Sequence, residues 1–274
     1  MKFMFKLNRW WWKWKKDCEE QSCLQSNPNN VCEKELKKLQ EEYLKKQAED
    51  RKQTEKAQVE KLAKLKSDKP NVDLYVMSYC PFWTQAEKPF TSIMEKFGKY
   101  ANVDIKFVQY VMHTSKWEWE ENLKQYCIKT TQKEKYVGYL KCFLKAWESE
   151  KCMKENKIDK TKVDNCIRKT DKKFKITEKL NDKSKRFPDF DIDKETALKA
   201  WVQGSPTLVI NWVKIDWVER TERGFAKVIC NAFKKAPAIC NDLSKFSNKA
   251  YNPWFGFDVP SANANAQAAA WCSQ

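Results

Sequence analysis

Cys80 is the residue of this sequence whose position is best suited to chemistry. Alternating apolar residues over 72–78 predict a β-strand before it, and the pattern over 84–97 predicts a helix after it. A thiol between a strand end and a helix N-terminus faces unpaired N–H groups and the positive end of the helix dipole, which favour its thiolate. A thiolate attacks disulfides. We therefore predict that Cys80 is a nucleophile; the alternative is an inert, half-buried cysteine at a strand end.

The other cysteines are spaced in a way that is typical of structural disulfides. The chain has 11 cysteines and one histidine, His113, and it contains no Cys-x-x-Cys pair, so we expect no metal site and no cofactor. We assign His113 to a loop without a catalytic role. Four cysteines in the middle of the chain allow three connectivities, so a nested arrangement there remains a hypothesis. The suggested pairs are Cys142 with Cys152, Cys127 with Cys166, and Cys230 with Cys240.

The use of cysteine indicates an oxidising compartment, and we predict an extracytoplasmic protein of the cell envelope or a secreted one. No segment reaches the ~18 consecutive apolar residues of a transmembrane helix. The N-terminus, Met1–Lys6, lacks the apolar region of a signal peptide. We favour a start codon assigned too late, which removed an upstream anchor, over a different export route.

The charge balance of the chain is strongly basic. Lys and Arg number 53 and Asp and Glu number 37, which gives a formal net charge of +16. The lysines are spread along the whole chain without a helix-turn-helix, zinc-finger or RNP-type motif, so nucleic-acid binding is the least favoured function. The basic and aromatic segment 10–14 predicts contact with a membrane surface if its tryptophans are native.

Composition and periodicity divide the chain into four regions. Residues 1–32 are basic and polar without a regular pattern, 33–69 predict a charged, solvated helix or stalk, and 243–274 predict a low-complexity tail. The region 70–242 predicts a compact domain. Its expected elements are a β-α-β unit over 72–112, a helical insertion at about 117–200, a β-hairpin at 207–218 and a helix at about 222–234.

Tryptophan occupies positions where the expected backbone favours glycine. The chain has 13 tryptophans and 5 glycines, whereas glycine usually makes up ~7% of a protein. Asn211-Trp212 and Asp216-Trp217 stand in tight turns where Asn-Gly or Asp-Gly is expected. Trp147 and Trp201 follow helices that should end on glycine. We hypothesise that many or all of these tryptophans are glycines in the source organism, through UGA read as glycine; the alternative is a chance excess of tryptophan.

The order of elements and two motifs resemble the thioredoxin superfamily. The similarity is greatest to the branch that contains DsbA-like proteins and the gamma-interferon-inducible lysosomal thiol reductases. The motifs are Met77-Ser78-Tyr79-Cys80-Pro81-Phe82 and Gly204-Ser205-Pro206-Thr207, and the resemblance extends over about 72–242. It implies an α/β thioredoxin-like fold with a disulfide-stapled helical insertion, to which the N-terminal charged helix is added. It also implies that Cys80 is catalytic, that Pro206 is cis, and that substrate is bound by Pro81, Phe82, Ser205 and Pro206.

One position departs from the family pattern. The second active-site cysteine, three residues after the first, falls on Trp83. A lone thiolate forms a mixed disulfide but needs another thiol for resolution. That thiol would come from a small external thiol, a partner thiol protein, a second substrate thiol, or one of Cys18, Cys23, Cys32 and Cys272.

The sequence therefore predicts a monothiol thiol-disulfide exchange protein of the reductase or isomerase type. Its substrates would be disulfide-containing extracytoplasmic proteins or peptides. The alternative function is that of a redox-inactive thioredoxin-fold binding module or chaperone.

Overall fold

A mixed four-stranded sheet forms the centre of the fold. Its strand order is β2-β1-β3-β4, with β1 parallel to β2 and antiparallel to β3, and β3 antiparallel to β4. The central strand β1 is buried from Val72 to Val76, since it has a neighbour on each side. This topology confirms the predicted α/β fold class. The strands are β1 (Asn71–Val76), β2 (Asn102–Phe107), β3 (Thr207–Ile210) and β4 (Val213–Ile215).

The computed structural model of the chain describes residues 31–112, 116–182 and 184–257. The predictions for 1–30, His113 and 258–274 fall outside the described residues. The chain divides into two compact units, Met1–Lys56 and Ala57–Gln274. Helix α1 (Val31–Ala63) begins in the first unit and ends in the second.

Helices cover the sheet and form the insertion. Helix α2 packs against β2, α4 and α9, and in the insertion α3 packs against both α4 and α6. A short 3-10 helix at Asp191–Asp193 contacts β2. The helices after α1 are α2 (Pro81–Phe97), α3 (Lys116–Thr131), α4 (Lys133–Ala146), α5 (Ser149–Glu155), α6 (Lys160–Phe174), α7 (Ile176–Asn181), α8 (Lys194–Lys199) and α9 (Glu222–Cys230).

Helix α2 follows the turn that contains Cys80. Proline at the first helical position suits a helix start because its missing N–H would have no intrahelical partner. The helix therefore begins at Pro81, three residues earlier than the apolar pattern predicted. Its buried side chains recur every three or four residues and fix it on the core; they are Trp83, Ala86, Phe90, Ile93 and Phe97.

Three disulfides join the elements that surround the sheet. Cys127 in α3 is bonded to Cys166 in α6, and Cys142 in α4 is bonded to Cys152 in α5. The third bond, Cys230–Cys240, links the end of α9 to the 3-10 helix Ala238–Asn241. Among the three possible connectivities of the insertion, the structure has the nested one.

The limits of the α/β unit differ from the predicted limits, 70 and 242. At the N-terminal side, Leu62 of α1 is fully buried and the Gln58 side-chain amide exchanges two hydrogen bonds with the backbone of Trp217. At the C-terminal side, Phe246 is buried against Phe97. Large aromatic side chains between 246 and 257 pack on the domain, and the polar composition of this segment hid their contribution. Among the described residues, no helix has the length and apolar character needed to cross a bilayer.

Three tryptophans have a left-handed backbone conformation. Trp147 ends α4 with φ 59° and ψ 20°, and Trp201 follows α8 with φ 53°. Asn211 and Trp212 join β3 to β4 with φ of 47° and 69°, as in the predicted two-residue turn. Trp217 is not among the residues with positive φ, so the turn predicted at Asp216-Trp217 is wrong.

Candidate functional site

Cys80 lies at the N-cap of α2, with φ −79° and ψ 122°. Its carbonyl oxygen accepts the N–H groups of Trp83 at 3.0 Å and Thr84 at 3.1 Å, which starts the helix. The side chain of an N-cap residue can accept a hydrogen bond from the backbone N–H of the second helical residue, which here is Phe82. Pro81, the first helical residue, has no N–H. The thiol is 6% exposed and, unlike the other cysteines whose side chains are described, it is outside the disulfides. The positive end of the helix dipole thus faces a largely desolvated sulfur.

Arg220 places a half-buried positive charge next to this turn. Its Nη1 donates to the carbonyl oxygen of Phe82 at 3.4 Å and to Oε1 of Gln85 at 3.0 Å. Burial lowers the pKa of Arg220, and negative charge on Cys80 acts in the opposite direction. The guanidinium is therefore close enough to stabilise a Cys80 thiolate.

Pro206 and Cys80 lie at the same end of the sheet. Thr207 pairs with Tyr75 near the end of β1, so the residue before Thr207 is next to the strand end that leads into Cys80. The Ser205–Pro206 peptide is cis, and both residues are half-buried. The structure thus places Cys80, Pro81, Phe82, Ser205 and Pro206 at the same end of the sheet, and their assignment to one site stays a prediction.

A cavity of about 450 Å³ adjoins Pro206. Its walls come from the sheet, from the first turns of α2 and from the loop before α9. Apolar and polar groups both line it, so it suits the side chain of an extended peptide. The lining includes Leu74, Gln85, Pro206, Trp217 and Arg220.

Trp83 and Glu87 lie one turn apart on the buried face of α2. Both side chains are fully buried. The Nε1 of Trp83 and both carboxyl oxygens of Glu87 have no partner within normal hydrogen-bond geometry. The indole N–H nevertheless points toward Glu87, and this orientation acts to lower the pKa of the Glu87 carboxyl. Burial dominates and raises the pKa of Glu87 well above 4.5, and the charge of Glu121 adds to this rise.

A hydrogen-bonded polar cluster surrounds Glu121, the carboxylate whose charge acts on Glu87. Glu121 of α3 accepts hydrogen bonds from Gln125, from Tyr139 at 2.7 Å and from Ser149 at 2.8 Å. Asn122 accepts the backbone N–H of Ser78 at 2.9 Å. The strand end before Cys80 is thereby fixed to the insertion by buried hydrogen bonds.

The buried carboxyl of Glu87 makes stability depend on pH. Because its folded-state pKa is raised, the unfolded chain holds fewer protons above the usual glutamate pKa, and the free energy of unfolding falls as pH rises from about 4.5. We expect Glu87→Gln to be more stable than the parent protein by more than about 1 kcal/mol at about pH 8, and little different at about pH 4. Urea unfolding at both pH values measures this. An equal difference at both would contradict it.

Aromatic side chains cover the turn on the side of the insertion. The ring of Tyr79 lies 5.8 Å from Phe143, 5.7 Å from Trp147 and 6.1 Å from Phe255. Burial, reinforced by the charge of Glu121, raises the pKa of Tyr79 to about 12. Tyr79 is therefore a neutral packing residue and not an acid–base group at neutral pH.

The segment 251–257 is attached directly to α2. Gln85 donates to the carbonyl oxygen of Tyr251 at 2.9 Å. The buried Lys88 donates to the carbonyl oxygens of Asn252, at 2.8 Å, and Trp254. This C-terminal segment therefore forms one flank of α2.

Sequence reasoning missed Arg220 and Glu87. Arg220 is 140 positions from Cys80, and no local pattern links them. Glu87 carried a weak signal, since it is a carboxylate on the apolar face of α2, where a polar residue needs an explanation. Within the part of the chain that the structure describes, no group of His, Cys, Asp and Glu side chains is arranged to hold a metal ion.

Comparison with known proteins gives matches among solved structures alone. No protein-family model and no curated protein matches the sequence. The reduced form of the disulfide bond oxidoreductase DsbG from Mycobacterium tuberculosis is 15% identical, with a TM-score of 0.45 over 66% of this chain and 92% of that chain. Reduced DsbA from the same organism is 15% identical, with a TM-score of 0.45 over 66% and 96%. Its oxidised form is 14% identical, with a TM-score of 0.46 over 65% and 90%. At this level of similarity, a functional inference depends on the geometry of the site.

Proposed function

We propose that this chain is a monothiol thiol-disulfide exchange protein whose nucleophile is Cys80. The observation that carries the proposal is the position of Cys80 at the N-cap of α2, near the half-buried cation Arg220 and at the sheet end that holds cis-Pro206. Helix dipole and guanidinium both favour the thiolate. The three disulfides elsewhere in the domain support an extracytoplasmic location, in the cell envelope or outside the cell.

The reaction takes place in two exchange steps. The Cys80 thiolate attacks one sulfur of a substrate disulfide, which forms a mixed disulfide and releases the other substrate sulfur as a thiolate that takes a proton from water. A small external thiol or a second thiol of the substrate, as its thiolate, then attacks the substrate sulfur of the mixed disulfide. The Cys80 thiolate leaves unchanged, and the new disulfide contains the substrate and the attacking thiol. One external thiol leaves the substrate with one free thiol and one mixed disulfide, and a second equivalent of the external thiol completes net reduction by releasing the substrate thiolate and a disulfide of the two external thiols. A substrate thiol instead gives isomerisation.

Substrate binding is assigned to the groups around the sulfur. The backbone of Ser205 is next to the strand end and would pair with an extended substrate segment, as in strand addition. The cavity beside Pro206 would receive a neighbouring substrate side chain. Phe82, half-buried on the first turn of α2, would provide apolar contact on the other side of the sulfur.

Alkylation mass spectrometry from about pH 5 to about pH 9, with and without reductant, tests the proposal. We expect rapid modification of Cys80 with an apparent pKa below about 7.5, against about 8.5 for an ordinary thiol. The six disulfide-bonded cysteines should react only after a reductant is added. An inert Cys80 in the folded protein would support the alternative, a redox-inactive binding module or chaperone.

The charge of Arg220 provides a separate prediction. Arg220→Gln removes the half-buried cation near the sulfur and should raise the apparent pKa of Cys80 by about one unit, which slows alkylation at neutral pH by up to about tenfold. Arg220→Lys is the matched control, because it keeps the positive charge and should retain most of the rate. If the two variants react equally fast, the cation does not act on the thiolate.

A further inference from the structure

Tryptophan has the backbone role of glycine at three places in the fold. Among the described residues, the non-glycine residues with positive φ are Trp147, Lys157, Lys175, Trp201, Asn211 and Trp212, so half of them are tryptophans. Positive φ is rare for bulky side chains because Cβ approaches the backbone carbonyl oxygen. Each of the three tryptophans ends a helix or completes a two-residue hairpin turn, where glycine is the usual residue.

The side chains of two of these tryptophans do little to compensate. Trp201 is 78% exposed and Trp212 is 51% exposed. An exposed indole provides little apolar burial to offset the conformational cost of its backbone. Chance placement of tryptophan does not explain why these positions coincide with the left-handed ones.

The same substitution has a consequence at the active site. Trp83 is one turn from Cys80 and is fully buried, as is Glu87. Its indole N–H points toward Glu87, yet neither this N–H nor the two Glu87 oxygens has a partner within normal hydrogen-bond geometry. Buried polar atoms without partners are rare in proteins and are usually satisfied by a side chain or by water. Without the indole, the space would hold several waters, each of which needs ~30 Å³.

We propose that glycine stands at the tryptophan positions of the native protein, and that glycine at position 83 opens a hydrated space between Cys80 and the carboxyl group of Glu87. The active-site turn is then Cys-Pro-Phe-Gly. Glycine there removes a large wall from the side of the nucleophile, so that both water and a substrate sulfur gain access to it. This inference does not depend on the proposed exchange activity, since the identity of the residues can be measured directly.

Peptide mass spectrometry of the protein purified from its source organism is the first test. We expect the peptides that contain positions 83, 147, 201 and 212 to have masses that correspond to glycine. Peptides with tryptophan at these positions would overturn the proposal.

Stability measurements on recombinant protein test the backbone argument. Trp201→Gly should increase the ratio of folded to unfolded protein by about tenfold, because a left-handed residue without Cβ has no steric strain. Trp201→Ala removes the same indole but keeps Cβ, and it should give a smaller gain. Trp117→Gly is the second control, since Trp117 is exposed within α3 and glycine there should weaken the helix. No gain for Trp201→Gly over both controls would contradict the backbone argument.

Alkylation of Cys80 tests the active-site part. We expect iodoacetamide to modify Cys80 at least several-fold faster in Trp83→Gly than in Trp83→Phe, which keeps a buried ring. Equal rates in the two variants would contradict the proposal that glycine at position 83 opens a space beside Cys80. If Trp83→Gly does not fold, the peptide mass at position 83 still decides the identity of the residue.

Discussion

Cys80→Ser is expected to reduce exchange activity to the background of the assay. A serine hydroxyl has nearly the size of the thiol but cannot form a disulfide, so the mixed-disulfide intermediate is lost completely. The measurements are reduction of insulin by a small thiol and refolding of scrambled ribonuclease, each with equal amounts of the parent protein and the variant.

Two controls accompany this experiment. One is the fold of the Cys80→Ser variant, and the other is a variant that loses two cysteines away from Cys80. Cys80→Ser should keep the helical spectrum and the unfolding midpoint, because the substitution is nearly isosteric at a side chain that is 6% exposed. The double variant Cys230→Ser, Cys240→Ser removes a disulfide and leaves Cys80 intact, so it should keep most of the activity. Full activity in Cys80→Ser would refute the enzymatic proposal and favour the binding module.

Removal of the Cys127–Cys166 bond should have the largest effect on stability. The bond closes a loop with a sequence separation of 39 residues, and the loop-entropy relation gives about 4 kcal/mol for a loop of this length. The double variant Cys127→Ala, Cys166→Ala should lower the free energy of unfolding by about that amount, measured by urea denaturation. Both helices that it joins, α3 and α6, belong to the insertion, so the helical signal of the insertion should be lost first.

The bond between Cys142 and Cys152 is the matched comparison. Its sequence separation is 10 residues, and the same relation gives about 3 kcal/mol. Both double variants remove buried sulfur, so the difference between them reports loop length. A greater loss for the shorter loop would mean that packing around Cys142 and Cys152, not chain entropy, determines the stabilisation.

The sequence was sufficient to predict the elements that have a strong local pattern. The alternation over 72–78 predicted β1, and Asn211-Trp212 predicted a turn between β3 and β4 even though the second residue is unfavourable there. Ser205 and Pro206 were assigned to the site through a family resemblance. Nothing in the spacing of residues alone would have placed them beside Cys80.

Long-range contacts are the part that the sequence could not supply. Arg220 reaches the first turn of α2 because β3, β4 and the following loop return to this end of the sheet. The same holds for Phe246, whose burial depends on Phe97, about 150 positions earlier. A pattern within a short window contains no information about such pairs, since they arise from topology.

The attachment of residues 251–257 to Gln85 and Lys88 restricts how a substrate can approach the sulfur. This segment occupies one flank of α2, and the rings of Phe143 and Phe255 pack against Tyr79 on the adjoining side. For the exchange proposed above, the substrate would approach along Pro206 and Phe82. A disulfide on a rigid, convex surface would meet these flanking groups before its sulfur reached Cys80. The proposed reaction would therefore favour disulfides in loose or locally unfolded chains over those of natively folded proteins.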